Sequence, residues 1–78
     1  MKLTLSIAQI KVEQAQPEAN LRKSERLAAE AAQQGSELLC FPEMWTTGFN
    51  WEANQRLAAS SAAVLEEIAA MARRHRIW

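Results

Sequence analysis

Apolar and polar residues alternate with period two over residues 3–12. Leu3, Leu5 and Ile7 fall on one side with Gln9, while Thr4, Ser6, Ala8, Ile10 and Val12 fall on the other. Beyond Ser6 both sides are largely apolar or small, the pattern of a strand covered on two faces. Gln16-Pro17-Glu18-Ala19-Asn20 interrupts it. Proline holds its predecessor in extended conformations, so a turn leading into a helix is expected there. That helix is expected over residues 18–34, with Leu21, Leu27, Ala28, Ala31 and Ala32 as its apolar stripe. Arg22, Lys23, Glu25, Arg26 and Glu30 occupy the remainder. Gly35 stands where a C-terminal cap is wanted, because glycine accepts the left-handed conformation without a Cβ penalty. The short apolar run Glu37-Leu38-Leu39-Cys40-Phe41 then stops at Pro42, and its length and flanks favour a buried second strand.

Strand, helix, strand with a connection of this length makes a parallel crossover. Residues 42–51 read as a loop and residues 52–57 as a helical turn or short helix. Residues 61–74 read as a full helix, with Val64, Leu65, Ile68, Ala69 and Ala72 as its buried face and Ser60 or Ser61 as its N-cap. Arg73-Arg74-His75-Arg76 closes that helix and complements its C-terminal dipole. Ile77-Trp78 reads as the opening of another strand. Two parallel strands cannot cover two helices and satisfy their own edges. Residues 1–78 are therefore read as the leading part of a larger α/β domain, cut at the start of a third strand.

Composition narrows the chemistry. The chain has 78 residues, 49% apolar and 23% charged, which is ordinary for a globular protein. Nine Lys and Arg balance nine acids, all of them Glu, so no net charge draws the chain to nucleic acid or an anionic membrane. No apolar run approaches the length of a membrane span, and the N-terminus lacks the hydrophobic region of a signal peptide; a cytoplasmic location is expected. With one Cys, one His and no Asp, the chain can form no internal disulfide, no closed zinc site of Cys and His, and no Ser-His-Asp triad. Gly35 and Gly48 are too far apart for a phosphate loop.

The loop after the second strand holds the strongest candidate. In open α/β sheets ligands gather beyond the carboxyl ends of the strands. Glu43 sits there, held by Pro42 and followed by Met44, Trp45, Phe49 and Trp51. A carboxylate among aromatic groups is expected to be partly desolvated, which suits a general base or acid. The plainer reading is a solvated Glu beside aromatic residues that serve the core.

Phe41-Pro42-Glu43-Met44-Trp45-Thr46-Thr47-Gly48-Phe49 resembles the first catalytic block of the nitrilase superfamily, the carbon–nitrogen hydrolases. The strand ending near Ala8-Gln9, the helix start Pro17-Glu18-Ala19-Asn20 and the stretch from Ala31-Ala32 to Gly35 resemble the same family, so the likeness spans nearly the whole chain. It implies the N-terminal β-α-β-α portion of a four-layer α-β-β-α sandwich, usually homo-oligomeric, with no metal or organic cofactor. It also implies a Glu-Lys-Cys site that cleaves a small amide. Glu43 would be the general base, the Cys the nucleophile and the Lys a stabiliser of the tetrahedral intermediate. Phe49 is a candidate substrate-lining residue, with Trp51 near it.

Cys40 lies inside the strand and is expected to be a buried small hydrophobe rather than that nucleophile. Lys2, Lys11 and Lys23 all precede the Glu block, whereas the family's Lys follows it. Among branches of the family, Pro-Glu-Met-Trp-Thr-Thr-Gly-Phe most resembles the omega-amidase-like bacterial members. The chain by itself is expected to be inactive, since only the Glu of the three is present. The rival reading is a non-catalytic α/β fragment or interaction module.

Overall fold

In the computed structural model, which describes residues 2–78, Pro17 and Gly35 punctuate the chain much as their chemistry requires. Strand β1 (Leu5–Ile7) leads to helix α1 (Pro17–Gln33), then to strand β2 (Leu38–Cys40). Helix α2 (Trp51–Leu57) follows, then a 3₁₀ turn (Ala58–Ser60) and helix α3 (Ser61–His75). Pro17 occupies the first turn of α1, where its missing N–H costs nothing. At the other end Gly35 adopts a φ of 88°. Its N–H donates to Ala32 O and the N–H of Ser36 donates to Ala31 O, the paired bonds of a Schellman ending. Helix α3 ends by the same device without a glycine. Arg76 takes the left-handed conformation at φ 53°, and the N–H of Ile77 donates to Ala72 O.

The two strands are parallel, with Leu5 opposite Leu38, Ser6 opposite Leu39 and Ile7 opposite Cys40. β1 is much shorter than the alternation over residues 3–12 suggested. Its partner has three residues, and the ladder runs out at the bond from Ala8 N to Cys40 O. On the free edge of β2, the N–H of Trp78 donates to Glu37 O and its carbonyl accepts from Leu39 N. That pair of bonds brackets Leu38 in the parallel pattern.

Side chains of alternate residues separate the sheet into two unlike faces. Ala8 and Ile77 are buried on the face that the helices cover. The opposite face carries Leu3, Leu5, Ile7, Leu38, Cys40 and Trp78, and it is open: Ile7 is 73% exposed and Trp78 85%. The expectation that the first strand is covered on both sides does not hold for these residues. Cys40 is likewise exposed rather than buried, because it shares the open face with Ile7. The consequence is visible in total area. A compact monomer of 8.8 kDa exposes about 4,800 Å², whereas this chain exposes 5749 Å².

The core between α1 and α3 is small and partly polar. Along α1 the buried line runs through Pro17, Asn20, Ser24, Ala28 and Ala31, spaced three and four apart on one face. Leu21 and Leu27, expected in the buried stripe, are only half-buried. On α3 the buried residue is Met71, while Leu65 and Ala69 of the expected face are exposed. Ser24 Oγ donates to Leu21 O and lies 3.6 Å from Met71 Sδ, so a hydroxyl and a thioether form the centre of the helix pair. Ser60 makes no capping bond through its side chain, since the 3₁₀ turn feeds directly into α3. No helix among the described residues is long and apolar enough to cross a membrane.

An ion cluster closes the exposed side of this helix pair. Arg74 donates twice to Glu25, Nε to Oε1 and one terminal nitrogen to Oε2, both at 2.9 Å, and His75 Nε2 lies 2.9 Å from Glu25 Oε1. The basic run at the end of α3 therefore reaches across to α1 instead of only facing its own helix dipole. The Arg74 hydrogen bonds, and after them the His75 contact, hold the Glu25 carboxyl at about 2, below its usual range. The folded value is the lower one, so the pair adds stability above the ordinary carboxylate range and loses it as pH falls toward 2. Glu25 is 37% and Arg74 53% exposed, so screening limits the effect to about 1 kcal/mol. Urea unfolding of the native chain and Glu25→Gln is expected to differ by that amount at pH 7 and to converge near pH 2.

Candidate active site

The segment after β2 turns at once. Pro42 has no N–H to continue the ladder, and residues 43–47 form consecutive turns. The N–H of Gly48 donates to Met44 O at 2.7 Å and closes the loop on itself. Met44, directly after Glu43, adopts a φ of 57°, a left-handed backbone that costs an L-residue about 1–2 kcal/mol. Such a conformation persists only where its surroundings over-determine it. Gly48 also has positive φ, at 80°, and an added Cβ would lie 2.5 Å from the side-chain amide of Gln14. The loop is thus pressed against the turn that precedes α1.

Two further contacts fix the loop's ends. Phe41 and Trp45 stack with ring centroids 4.5 Å apart and planes 23° from parallel, bridging the Pro42-Glu43 corner. Asn50 caps α2 by accepting from Ala53 N at 3.0 Å, and Asn54 Nδ2 donates to Gly48 O at 2.9 Å. The aromatic residues therefore pack on one another and leave Glu43 uncovered. Glu43 is exposed, and among the described residues its carboxylate makes no side-chain hydrogen bond or ion pair. The close aromatic cover of Glu43 expected from the sequence is not formed, since Phe41 stacks on Trp45 and Glu43 is exposed.

Phe49 and Trp51 meet edge to face at 6.4 Å and 81°, and both are exposed, at 59% and 69%. They flank the exit of the Glu43 loop but do not converge on the carboxylate in a closed pocket. An open groove of about 490 Å³ lies between the loop and the helices, lined by Met44, Trp45, Leu57, Val64 and Ile68 among others; Glu43 and Phe49 are not in its wall. Asn54 also lines it, with a buried Oδ1 that has no partner. Among the described residues no three His, Cys, Asp or Glu side chains gather in a group able to hold a metal ion.

The loop that carries Glu43 is held by a residue that sequence spacing does not single out. Asn20 is fully buried, and its side chain bonds to the backbone at both Glu13 and Thr46. A polar residue in line with the buried face of α1, in its first turn, was the signal available.

The profile of the carbon–nitrogen hydrolase family matches residues 4–78. A protein named nitrilase from Pyrococcus abyssi (strain GE5 / Orsay) is 38% identical over 42 residues, covering 54% of this chain and 16% of the relative. A protein named arylacetonitrilase from Macrophomina phaseolina (strain MS6) is 33% identical over 86 aligned positions, covering 87% of this chain and 25% of the relative. The chain thus spans a quarter or less of the length of these curated relatives. No solved structure matches it. A parallel strand–helix–strand unit ending in an exposed Pro-Glu turn, matched along nearly its whole length, leaves one assignment: the chain belongs to the carbon–nitrogen hydrolase family.

Proposed function

We propose that this chain is the leading part of an amidase-type carbon–nitrogen hydrolase and that Glu43 is its general base. The observation that carries the reading is the placement of Glu43: an exposed carboxylate on a braced turn at the carboxyl end of a parallel strand. Among the described residues its carboxylate has no ion-pair or side-chain hydrogen-bond partner, which suits a group that must accept a proton and give it up again.

In the proposed reaction Glu43 takes the proton of a Cys thiol contributed by a later part of the protein. The thiolate attacks the amide carbon, the C–N bond breaks, and the proton leaves with ammonia. Water, activated by the same carboxylate, then attacks the thioester and releases the carboxylic acid and the thiol. A Lys, also later in the protein, stabilises the tetrahedral intermediates. Residues 1–78 alone lack nucleophile and Lys and are expected to be inactive.

The open sheet face supports the fold that goes with this reading. A second sheet packed on Leu3, Leu5, Ile7, Leu38, Cys40 and Trp78 would make the inner layers of an α-β-β-α sandwich and remove the exposed apolar surface. The omega-amidase-like branch rests on the loop sequence Pro-Glu-Met-Trp-Thr-Thr-Gly-Phe, and a homo-oligomeric, cytoplasmic enzyme is the expectation that accompanies it. A second reading, nitrile hydrolysis, is favoured by the names of the two relatives.

A matched pair of probes tests the assignment. Succinamic acid and 3-cyanopropionic acid share one acyl skeleton and both yield succinate and ammonia. Ammonia release by the hydrolase that carries this chain is expected from the amide. Release from the nitrile alone would move the assignment to nitrile hydrolysis. An open reading frame that stops at the Trp78 codon would leave the non-catalytic module.

A further inference from the structure

We propose that Asn20 is a positioning residue for Glu43, acting through the backbone of the loop that carries it. This rests on the reading of Glu43 as the base. Asn20 lies in the first turn of α1 with no exposed surface. Its Oδ1 accepts from Glu13 N at 2.8 Å, and its Nδ2 donates both hydrogens, to Glu13 O at 2.9 Å and to Thr46 O at 2.8 Å. One amide thus ties three backbone groups in two loops that sequence separates by more than thirty residues. A parallel bond from Ala15 N to Thr47 O at 2.8 Å doubles the connection.

The geometry explains why a polar side chain stands in the small core. Leucine has nearly the same shape and would fill the site without the desolvation cost of an amide. It would leave Glu13 N, Glu13 O and Thr46 O to find other partners. Thr46 is three residues beyond Glu43, inside the same closed turn, and Met44 between them holds a left-handed conformation that needs external restraint. Asn20 supplies that restraint from the rigid end of α1. Ala15, also left-handed at φ 57°, presents its N–H to Thr47 from the same turn whose Glu13 end Asn20 pins. The clasp therefore sets where the Glu43 backbone emerges from the sheet. A displacement of about 1 Å in a catalytic group lowers turnover about a hundredfold.

The test uses Asn20→Leu and Asn20→Asp in the hydrolase that carries this chain, with Glu43→Gln beside them. Single-turnover acylation by succinamic acid is normalised to titratable nucleophile, so loss of folded protein does not enter the rate. Amide exchange at Glu13 and Ala15 reports the clasp without reference to catalysis. Asn20→Leu is expected to speed exchange at both amides and to lower acylation per site about ten- to a hundredfold, with KM little changed. Asn20→Asp keeps the acceptor for Glu13 N but loses both donors, and is expected to protect Glu13 while still slowing acylation. A native acylation rate in either variant, with exchange at Ala15 accelerated, would overturn the inference while leaving Glu43 as base. A native rate in Glu43→Gln would remove the reading on which it rests, and the positioning role with it.

Discussion

Replacing Glu43 by glutamine in the hydrolase that carries this chain is expected to lower kcat/KM for succinamic acid by about 10²–10⁴-fold. Glutamine keeps the size and exposure of the side chain but cannot accept the thiol proton. The structure makes the experiment clean, because the Glu43 carboxylate holds nothing in place. It is exposed and makes no side-chain hydrogen bond or ion pair among the described residues. Stability should therefore change by less than about 0.5 kcal/mol, and a thermal melt run beside the assay checks that. Loss of activity without loss of fold assigns a chemical role. Retention of the native rate would return Glu43 to the plainer reading of a solvated loop residue.

The second large effect lies far from the loop. Met71→Ala should destabilise the α1–α3 pair by about 2 kcal/mol or more, the range found when a buried Met is truncated. Met71 is 5% exposed and is the largest apolar side chain buried between these helices. Ser24 lies 3.6 Å from its sulfur, and the next buried residues along α1, Ala28 and Ala31, are also small. Amide exchange across α1 and α3 is expected to rise about thirtyfold together, whereas exchange in β1 and β2 should rise less. An unchanged rate in the helices would mean that the core lies elsewhere.

The elements that the sequence revealed are those with local causes. Pro17 begins α1 and Gly35 ends it within a residue of the expected bounds, because a fixed φ and a missing Cβ act on the chain at their own positions. Pro42 likewise announced where β2 stops and Glu43 emerges. What failed to show depended on partners distant in sequence. Hydrophobic spacing favoured Leu21 and Leu27 for the buried stripe, yet Asn20 and Ser24 occupy it, since their polar atoms find Glu13, Thr46 and Leu21 carbonyls. Cys40 looked buried because an apolar run normally is; its open face follows from a register that places it beside Ile7. The left-handed Arg76 carries no signal at all, as arginine has no preference for that conformation.

The pairing of Leu5 with Leu38 also sets an order of events as the chain folds. A parallel ladder cannot nucleate at a tight turn, and bringing these strands together closes a loop of about thirty residues at an entropic cost of about 3 kcal/mol. Helix α1, 17 residues long, lies wholly inside that loop, and its hydrogen bonds join residues only four apart. Once formed, it shortens the distance the strands must search and delivers Gly35 to the start of β2. The contacts that finish the structure, Glu25 with Arg74 and Ser24 with Met71, span 49 and 47 residues. Contacts this distant in sequence slow folding relative to what helix content alone suggests, so α1 is expected to form before both the sheet and the α1–α3 contacts.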